Sequence, residues 1–268
     1  MKPLNEIKTI EITSKDNSKI KELKKLGQKK FRTESGKFLV ENAIIIQDTA
    51  KAGVFSEAIF ITAEFIEKNK AKFEAIIEES TISEYYLIDE KINKSFSSLD
   101  TAPGIVAIYS KPENKIDFTM LIVYLNAIND PGNLGTILRS ALAFGLKNIV
   151  IDEQCADIYN PKTISAAKDS IFKLNIEFDK DFKILKEIKQ KMPIFSTRLE
   201  KSEGLEALTR QKQFCVVFGS ESHGVEKEIQ MISEGFIKIP MSEEIESLNV
   251  AVSAGIVFYD IYSKIKNI

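Results

Sequence analysis

The feature that most restricts how this chain can fold is the apolar run "MLIVYLNAI" at residues 120–128. A strand with no polar alternation is typical of a parallel sheet that helices cover on both faces. Four more strand-like runs follow at intervals, separated by helical segments: "NIVID", "PIFST", "FCVVFGS" and "GFIKIPM". This alternation predicts an α/β domain over residues 119–268, closed by a long apolar helix that begins at residue 248.

The first 108 residues alternate in the same way. Strand-like runs are "GKFLVEN", "EAIFIT", "EYYLID" and "GIVAIYS", while "AIIIQDTAKAG" is a strand-like run into a helix that ends at Gly53. We therefore predict an α/β sandwich over residues 1–108. The polar stretch "SKPENKIDF" contains Pro112 and has no periodicity, so we expect a linker at 109–118.

Residues 19–32 carry seven basic residues and one acid. Ile20, Leu23 and Leu26 recur at helical spacing, which predicts an amphipathic helix with a basic outer face. Such a helix is either a solvated surface or a contact for RNA phosphates, and the sequence leaves both open. The candidate RNA-binding residues are Lys21, Lys24, Lys25, Lys29, Lys30 and Arg32.

The composition excludes several classes of protein. The chain has 268 residues, 44% of them hydrophobic and 28% charged, with a net charge of −2, so a nucleic-acid contact must come from local patches. No stretch approaches the roughly 18–20 apolar residues that span a membrane, and the start lacks the apolar core of a signal peptide. We expect a cytoplasmic protein. Cys155 and Cys215 form no CxxC or Cys/His cluster, so we expect no metal site.

Polar segments follow the predicted strands at three places. The first, "NDPGNLGTILRSALAFG" at residues 129–145, contains a turn at Pro131 and Gly132 and a helix in which Arg139 is the single charged residue. It matches neither GxGxxG nor GxxxxGK[ST]. The segment is either a phosphate-binding loop or a structural turn with Arg139 in a salt bridge.

The second segment is "VVFGSESHGV" at residues 216–225, where Glu221 offers a carboxylate after a strand. His223 is the one histidine of the chain, and GxSxG is absent, so His223 is either a loop residue or the base of an unrecognised triad. In the third segment, residues 238–255, Ser247 is a plausible helix N-cap, which places Asn249 in the first turn.

These three segments, in this order and spacing, closely resemble the motifs of the SpoU-type (TrmH) RNA 2′-O-ribose methyltransferases of the SPOUT class. The front half is similar to the substrate-binding domain of the rRNA-modifying branch, through its opening residues 12–42 and its closing strand "APGIVAI". The resemblance implies a catalytic α/β domain with a deep trefoil knot, which is a rare exception to the rule against knots.

The resemblance also implies a cofactor and a set of site residues. S-adenosylmethionine would bind beside the knot loops, and the protein would act on RNA, rRNA in particular, as a homodimer formed through the C-terminal domain. The implied cofactor-binding residues are Thr197, Gly219, Ile239, Met241, Ser247 and Leu248. The implied active-site residues are Asn133, Arg139, Glu221, Ser247 and Asn249.

Arg139 matches the residue that the family is proposed to use as a base towards the ribose 2′-hydroxyl. Because the pKa of arginine lies above about 12, a second role stays open, in which Arg139 orients phosphate and stabilises developing oxyanion charge. Two other functions also stay open: 2′-O-methylation of tRNA, and a non-catalytic role in RNA binding or ribosome assembly.

The sequence departs from the family pattern at three places, which leaves the RNA and the methylated nucleotide undetermined. Asn42 follows Glu41 where glycine is common, and Glu243 replaces a frequent glycine. A segment that usually contains Arg-Ala-Ser and Gly has other residues here: Ser165, Ala166, Ala167 and Asp169.

Overall fold

The structure is a computed structural model, and it describes residues 7–99, 101–113, 115–242 and 244–264. The chain divides into two compact units. The first comprises Met1–Pro112 and Tyr159–Ser165, and the second comprises Glu113–Ile158 and Ala166–Ile268. Glu243 and, within the predicted linker, Asn114 lie outside the described residues.

The first unit contains a five-stranded mixed sheet. Its strands, in the order β1-β4-β3-β5-β2, include three parallel neighbours and a β5 that runs antiparallel to both of its neighbours. The elements are β1 (Lys8–Ile12), α1 (Ser18–Leu26), α2 (Lys29–Ser35), β2 (Lys37–Val40), α3 (Ala43–Lys51), β3 (Ala58–Thr62), α4 (Ala63–Lys68), α5 (Lys70–Glu79), β4 (Glu84–Ile88), α6 (Glu90–Lys94) and β5 (Ile105–Ser110).

Two local predictions for this unit were wrong in detail. The basic segment forms two helices instead of one, because the chain turns at Gly27 and Gln28 between α1 and α2. The apolar run after Asn42 is helical from its start, since the Asn42 side chain accepts hydrogen bonds from the amides of Ile44 and Ile45 and so caps α3. This cap gives the unusual Asn42 a structural role.

The second half of the chain forms a fully parallel sheet of six strands in the order β11-β9-β10-β6-β7-β8. The predicted α/β class is confirmed, while the knot stays a prediction. The elements are β6 (Ile122–Leu125), α7 (Pro131–Ala143), β7 (Asn148–Asp152), α8 (Pro161–Ala167), a 3₁₀ helix (Lys168–Phe172), β8 (Asn175–Asp179), α9 (Lys183–Lys191), β9 (Ile194–Thr197), α10 (Glu206–Thr209), β10 (Cys215–Phe218), α11 (Lys227–Ile232), β11 (Gly235–Ile237) and α12 (Val250–Lys264).

The strand order of this sheet determines where a ligand can bind. From β6 the chain adds β7 and β8 on one side, and it then returns to place β9, β10 and β11 on the other. Neighbouring β6 and β10 therefore form a topological switch point, and ligands in open parallel sheets bind at the carboxyl ends of such strands. All four residues of β6 and of β10 are buried, which anchors the loops that leave them.

Strands β1 and β8, which lie at the edges of their sheets, have no clear signal in the sequence. In β8 only Asp179 is buried, and Phe178 is exposed, so the segment lacks the apolar pattern of the central strands. Within the described residues, no helix has the length and apolar character needed to cross a membrane.

Candidate functional site

The chain leaves β6 through a buried turn and then starts α7 at Pro131. Asp130 caps this helix, because its Oδ1 accepts a hydrogen bond from the Asn133 amide at 2.7 Å. A carboxylate already occupies the helix N-terminus, where a phosphate would have to bind. The structure therefore favours the structural-turn interpretation of this loop over a phosphate-binding loop.

Three side chains from the three motif segments meet beside the carboxyl edge of the sheet. Glu221 Oε1 accepts hydrogen bonds from Asn133 Nδ2 at 3.1 Å and from Asn249 Nδ2 at 2.5 Å. Asn249 Nδ2 also donates to Asn133 Oδ1 at 3.0 Å, and the Val250 amide donates to Glu221 at 3.3 Å. We call Asn133, Glu221 and Asn249 the polar cluster. It joins residues that are up to 116 positions apart in the sequence.

Asn249 also begins α12, which corrects the prediction that Ser247 is the N-cap. Asn249 Oδ1 accepts hydrogen bonds from the Ala251 and Val252 amides at 2.9 and 3.3 Å. The helix starts at Val250, two residues later than predicted. One side chain therefore satisfies the helix end with its oxygen and binds the polar cluster with its nitrogen.

Arg139 lies outside the polar cluster. It is six residues beyond Asn133 on α7, which places it about 9 Å further along the helix axis. Its side chain is exposed, and among the described residues it has no ion-pair or hydrogen-bond partner. The salt bridge considered for Arg139 from the sequence is therefore wrong within that part of the chain, and the guanidinium faces solvent.

A cleft of about 460 Å³ opens beside the polar cluster, between the loops that follow β9, β10 and β11. Buried apolar side chains form its interior, including Phe218, Ile237 and Val257, while Glu221 lies on its wall. The structure brings all six residues of the implied cofactor set to this one cleft: Thr197, Gly219, Ile239, Met241, Ser247 and Leu248. Ser247 lines the cleft without a hydrogen bond to the polar cluster among the described residues.

Gly219 is required where β10 meets the cleft. A Cβ at this position would lie 2.1 Å from the Gly224 carbonyl carbon and 2.2 Å from the Val225 amide nitrogen. These backbone atoms close a tight loop, in which Ser220 and Gly224 exchange two hydrogen bonds at 2.9 and 3.1 Å. The absence of a side chain at Gly219 lets the loop fold back against the strand and present Glu221.

The loop after β9 supplies a wall of the cleft that the sequence did not reveal. The Arg198 guanidinium carbon lies 3.5 Å from the centroid of the Phe236 ring, and its nitrogens donate to the carbonyls of Glu200 and Lys201 at 2.8 and 2.9 Å. Arg198, Leu199 and Glu200 all line the cleft. The segment "RLE" at residues 198–200 belongs to no motif, so only tertiary structure places it here, next to the implied cofactor-binding residue Thr197.

Among the residues that the structure describes, His223 has no catalytic arrangement around it. Its Nδ1 lies 2.7 Å from Ser222 Oγ, the hydroxyl of the preceding residue, and both side chains are exposed on the loop. No carboxylate within the described residues accepts a hydrogen bond from the ring. The loop-residue interpretation therefore holds over a Ser-His-Asp triad.

The six candidate RNA-binding residues differ in exposure: solvent reaches the five lysines, whereas Arg32 is buried. Lys21, Lys25, Lys29 and Lys30 are exposed, and Lys24 is half-buried on the same helix pair. Lys21 pairs with Asp16 at 3.6 Å, and Lys30 pairs with Glu34 at 3.9 Å.

The prediction that Arg32 binds RNA is wrong. It is 4% exposed, and its Nη1 donates to the Leu26 carbonyl at 2.8 Å, so it links α2 to the end of α1. A buried guanidinium that binds the backbone has a structural role and cannot reach an RNA phosphate.

The two free cysteines are structural as well. Burial raises the pKa of the Cys155 and Cys215 thiols well above the usual value. Among the described residues, no group of three His, Cys, Asp or Glu side chains could hold a metal ion.

Comparison with known proteins places this chain in a family. The model described as the SpoU rRNA Methylase family matches residues 120–259, and that described as the MRM3-like substrate binding domain matches residues 17–107. The 23S rRNA (guanosine(2553)-2′-O)-methyltransferase RlmP of Bacillus subtilis is 28% identical over 250 residues, which cover 93% of this chain and 98% of that protein.

Solved structures agree in fold. A crystal structure of an RNA 2′-O ribose methyltransferase has a TM-score of 0.78 and 26% identity, and the match covers 95% of this chain and 99% of that one. The SpoU methyltransferase AviRb of Streptomyces viridochromogenes, in complex with AdoMet, has a TM-score of 0.81 at 19% identity over 92% of this chain and 97% of its own. Since the first family model spans more than half of the residues, this chain belongs to the SpoU rRNA methylase family.

Proposed function

We propose that this protein transfers a methyl group from S-adenosylmethionine to a ribose 2′-hydroxyl of rRNA, with 23S rRNA as the substrate. The observation that carries the proposal is the convergence of three motif segments on one polar cluster beside a cleft at the switch point of the sheet. The named activity of the Bacillus subtilis relative, which this chain matches along 98% of its length, supports the same substrate class. Because that substrate is ribosomal, the proposed location is the cytoplasm.

The residues of the cleft suit S-adenosylmethionine. A volume of about 460 Å³ lies within the range of small-molecule sites, roughly 300–1,000 Å³. The apolar interior fits an adenine ring, and Glu200 and Glu221 offer carboxylates to a ligand that carries an amino group and a sulfonium. Gly219, Ile239, Met241 and Leu248 would hold the adenosine. When bound there, the cofactor supplies an electrophilic methyl group.

The protein's own side chains would prepare the RNA. Glu221 already accepts three hydrogen bonds on Oε1, so its role in the proposal is to fix the amides of Asn133 and Asn249 at the cleft. The exposed guanidinium of Arg139 would hold a neighbouring phosphate and stabilise negative charge as the 2′-hydroxyl loses its proton. This role does not require the guanidinium to be deprotonated, unlike that of a base.

Arg139→Lys tests the site. Lysine keeps the charge and loses the planar fork, so we expect the methylation rate to fall at least tenfold while folding is unchanged. The assay is transfer of labelled methyl to 23S rRNA, followed by mapping of 2′-O-methyl positions with and without the gene. A wild-type rate for Arg139→Lys would remove Arg139 from the mechanism. If the strain without the gene lacks a methyl in tRNA instead of rRNA, tRNA is the substrate. If its methylation map is unchanged, the result favours a role in RNA binding.

We further propose that residues 1–108 form the RNA-binding domain and residues 119–268 the catalytic domain, with a linker at 109–118. The first two residues of that linker, Tyr109 and Ser110, still belong to β5. The exposed lysines of α1 and α2 would contact phosphates, while Arg32 would not. Among the described residues, Lys24, Lys25 and Lys29 have no ion-pair partner, so their charges are available to RNA without first breaking a salt bridge.

The triple variant Lys24→Ala/Lys25→Ala/Lys29→Ala tests this surface. RNA affinity should fall, and the slope of log affinity against log salt should decrease by about one for each phosphate that the variant no longer binds. Lys8→Ala/Lys91→Ala/Lys94→Ala is the matched control, because these lysines are also exposed and have no ion-pair partner among the described residues. An equal decrease in the two variants would mean that only net charge matters.

A homodimer through α12 is the proposed assembly. Val252, Ile256, Tyr259 and Tyr262 recur along one side of the helix and are 51%, 37%, 60% and 58% exposed. A contiguous apolar helix face of this kind is typical of a protein–protein interface. A second copy of the chain would cover this apolar face. Because α12 packs against α7, which carries Arg139, the second copy would lie near Arg139.

Sedimentation velocity tests the dimer. We expect a dimer for the natural chain and a monomer for Ile256→Asp/Tyr259→Asp. Met231→Asp is the control, because Met231 is a 76% exposed apolar residue on α11. A monomeric natural chain, or a dimer that survives the double substitution, would overturn this assembly.

A further inference from the structure

A buried carboxyl group, Asp152, binds loops next to the candidate site, although it does not line the cleft and, among the described residues, has no hydrogen bond to the polar cluster. It ends β7 and is 5% exposed. Its two oxygens accept hydrogen bonds from four donors: Asn126 Nδ2 at 2.7 Å, the Ala127 amide at 3.0 Å, and the Gln154 and Cys155 amides at 3.0 Å each. These donors come from the loops after β6 and β7, so one side chain ties two strand ends together.

The same network reaches the loop after β10. Asn126 is fully buried, and its Oδ1 accepts a hydrogen bond from the Glu226 amide at 2.9 Å. Glu226 is the residue at which the Ser220–Val225 segment ends and α11 begins. The Gln154 side chain also donates to the Glu226 carboxylate. The carbonyl of Asn126 therefore fixes the far end of the loop that presents Glu221.

Asp152 also stabilises the turn at Ala127, where the backbone adopts a conformation that alanine disfavours. Ala127 has a φ of +54°, in the left-handed region that non-glycine residues rarely adopt, and it is buried. Its amide donates to both carboxyl oxygens of Asp152, at 3.0 and 3.2 Å. Three residues later Asp130 caps α7 and fixes the Asn133 amide. The direction in which the first motif leaves the sheet therefore depends on this carboxyl group.

We propose that Asp152 is a positioning residue, which sets the relative placement of Asn133 and Glu221 by binding the ends of β6, β7 and, through Asn126, β10. This inference rests on the proposed function for its activity readout. Asp152→Asn should break the arrangement, because its amide nitrogen would face two donors, Asn126 Nδ2 and the Ala127 amide.

The neighbouring strand offers a matched control. Asp179 ends β8, is the register partner of Asp152 and is 2% exposed. It accepts hydrogen bonds from the Tyr124 hydroxyl and from the Ile184 and Leu185 amides at 2.9–3.1 Å. Two of its partners lie at the start of α9, and the third, Tyr124, lies inside β6, so none of these three residues belongs to a motif loop. Asp179→Asn therefore removes a comparable buried carboxyl group without touching the site.

The experiment compares both variants in thermal unfolding, in affinity for S-adenosylhomocysteine and in methylation rate at saturating substrates. We expect both to lower Tm, and only Asp152→Asn to reduce the rate at least tenfold, by more than its affinity changes. The exchange Asn126→Asp/Asp152→Asn restores an amide–carboxylate pair and should recover most of the rate. Asn126→Ala removes the hydrogen bonds to Asp152 and to the Glu226 amide but keeps the Asp152 carboxyl group, so it tests the idea if Asp152→Asn does not fold.

Several results would overturn the inference. They are a wild-type rate for folded Asp152→Asn or Asn126→Ala, an equal rate decrease in Asp179→Asn, or an exchange variant that recovers stability without rate. If the natural chain itself methylates no RNA, the proposed function fails first, and that outcome is visible before any variant is made.

Discussion

Gly219→Ala is the substitution whose consequence the structure determines most directly. The added Cβ would lie 2.1–2.2 Å from three backbone atoms of Gly224 and Val225. Carbon contacts are normally about 3.5 Å or more, so the loop has to move away from β10 by more than about 1 Å. No side-chain rotation can relieve the overlap, because the backbone fixes the position of the Cβ and all three atoms that it meets are backbone atoms.

The magnitude follows from the two effects of this overlap. Overpacking of this kind costs about 1–3 kcal/mol, and the paired hydrogen bonds between Ser220 and Gly224 contribute about 1 kcal/mol each. We expect the free energy of unfolding to fall by roughly 3–5 kcal/mol when both hydrogen bonds are lost. Because the displaced loop lines the cleft and carries Glu221, affinity for S-adenosylhomocysteine should fall at least tenfold.

Gly224→Ala is the matched control in the same loop. Gly224 has a φ of +68°, and a Cβ there would meet no heavy atom within 4 Å. The change costs only the left-handed backbone conformation, about 1–2 kcal/mol, and should leave ligand affinity within about threefold. Urea unfolding and calorimetric titration measure both quantities. Gly219→Ala with natural stability and affinity, or a Gly224→Ala that is equally impaired, would refute the reasoning.

Three further predictions concern other residues. Asn249→Asp keeps the cap of α12 but sets a second carboxylate against Glu221, so the methylation rate should fall with little change in Tm; Asn249→Asp with a natural rate would count against the polar cluster. Burial raises the pKa of Tyr109 to about 12, so the folded state keeps a proton that the unfolded state loses above about pH 10. The stabilisation is complete below pH 10 and is lost as the pH rises towards 12, by about 1.4 kcal/mol per pH unit, and Tyr109→Phe should unfold in urea with a shallower dependence over that range; identical slopes would contradict this. Cys155 and Cys215, buried with raised pKa values, should resist iodoacetamide at pH 8 until the chain unfolds, and fast labelling of the native protein would show that they are accessible.

The sequence alone determined the fold class and the identity of most candidate residues. Continuous apolar runs such as 120–128 favour burial on both faces, which is typical of a helix-covered parallel sheet. The order and spacing of the three polar segments carried the resemblance, and it named Asn133, Glu221 and Asn249, which the structure joins by hydrogen bonds. Local composition was also enough to predict a basic surface at α1 and α2.

Tertiary structure decided what each of those residues contacts. Periodicity could not separate Arg32 from the lysines around it, because burial depends on how α2 packs against α1. Edge strands β1 and β8 lack an apolar pattern, since one or both faces meet solvent. Three features depend on contacts between segments that are distant in the sequence. They are the close approach of the loop to Gly219, the packing of Arg198 on Phe236, and the hydrogen bonds of Asp152 and Asn126. Such interactions depend on distances between folded strands, which no local pattern of residues encodes.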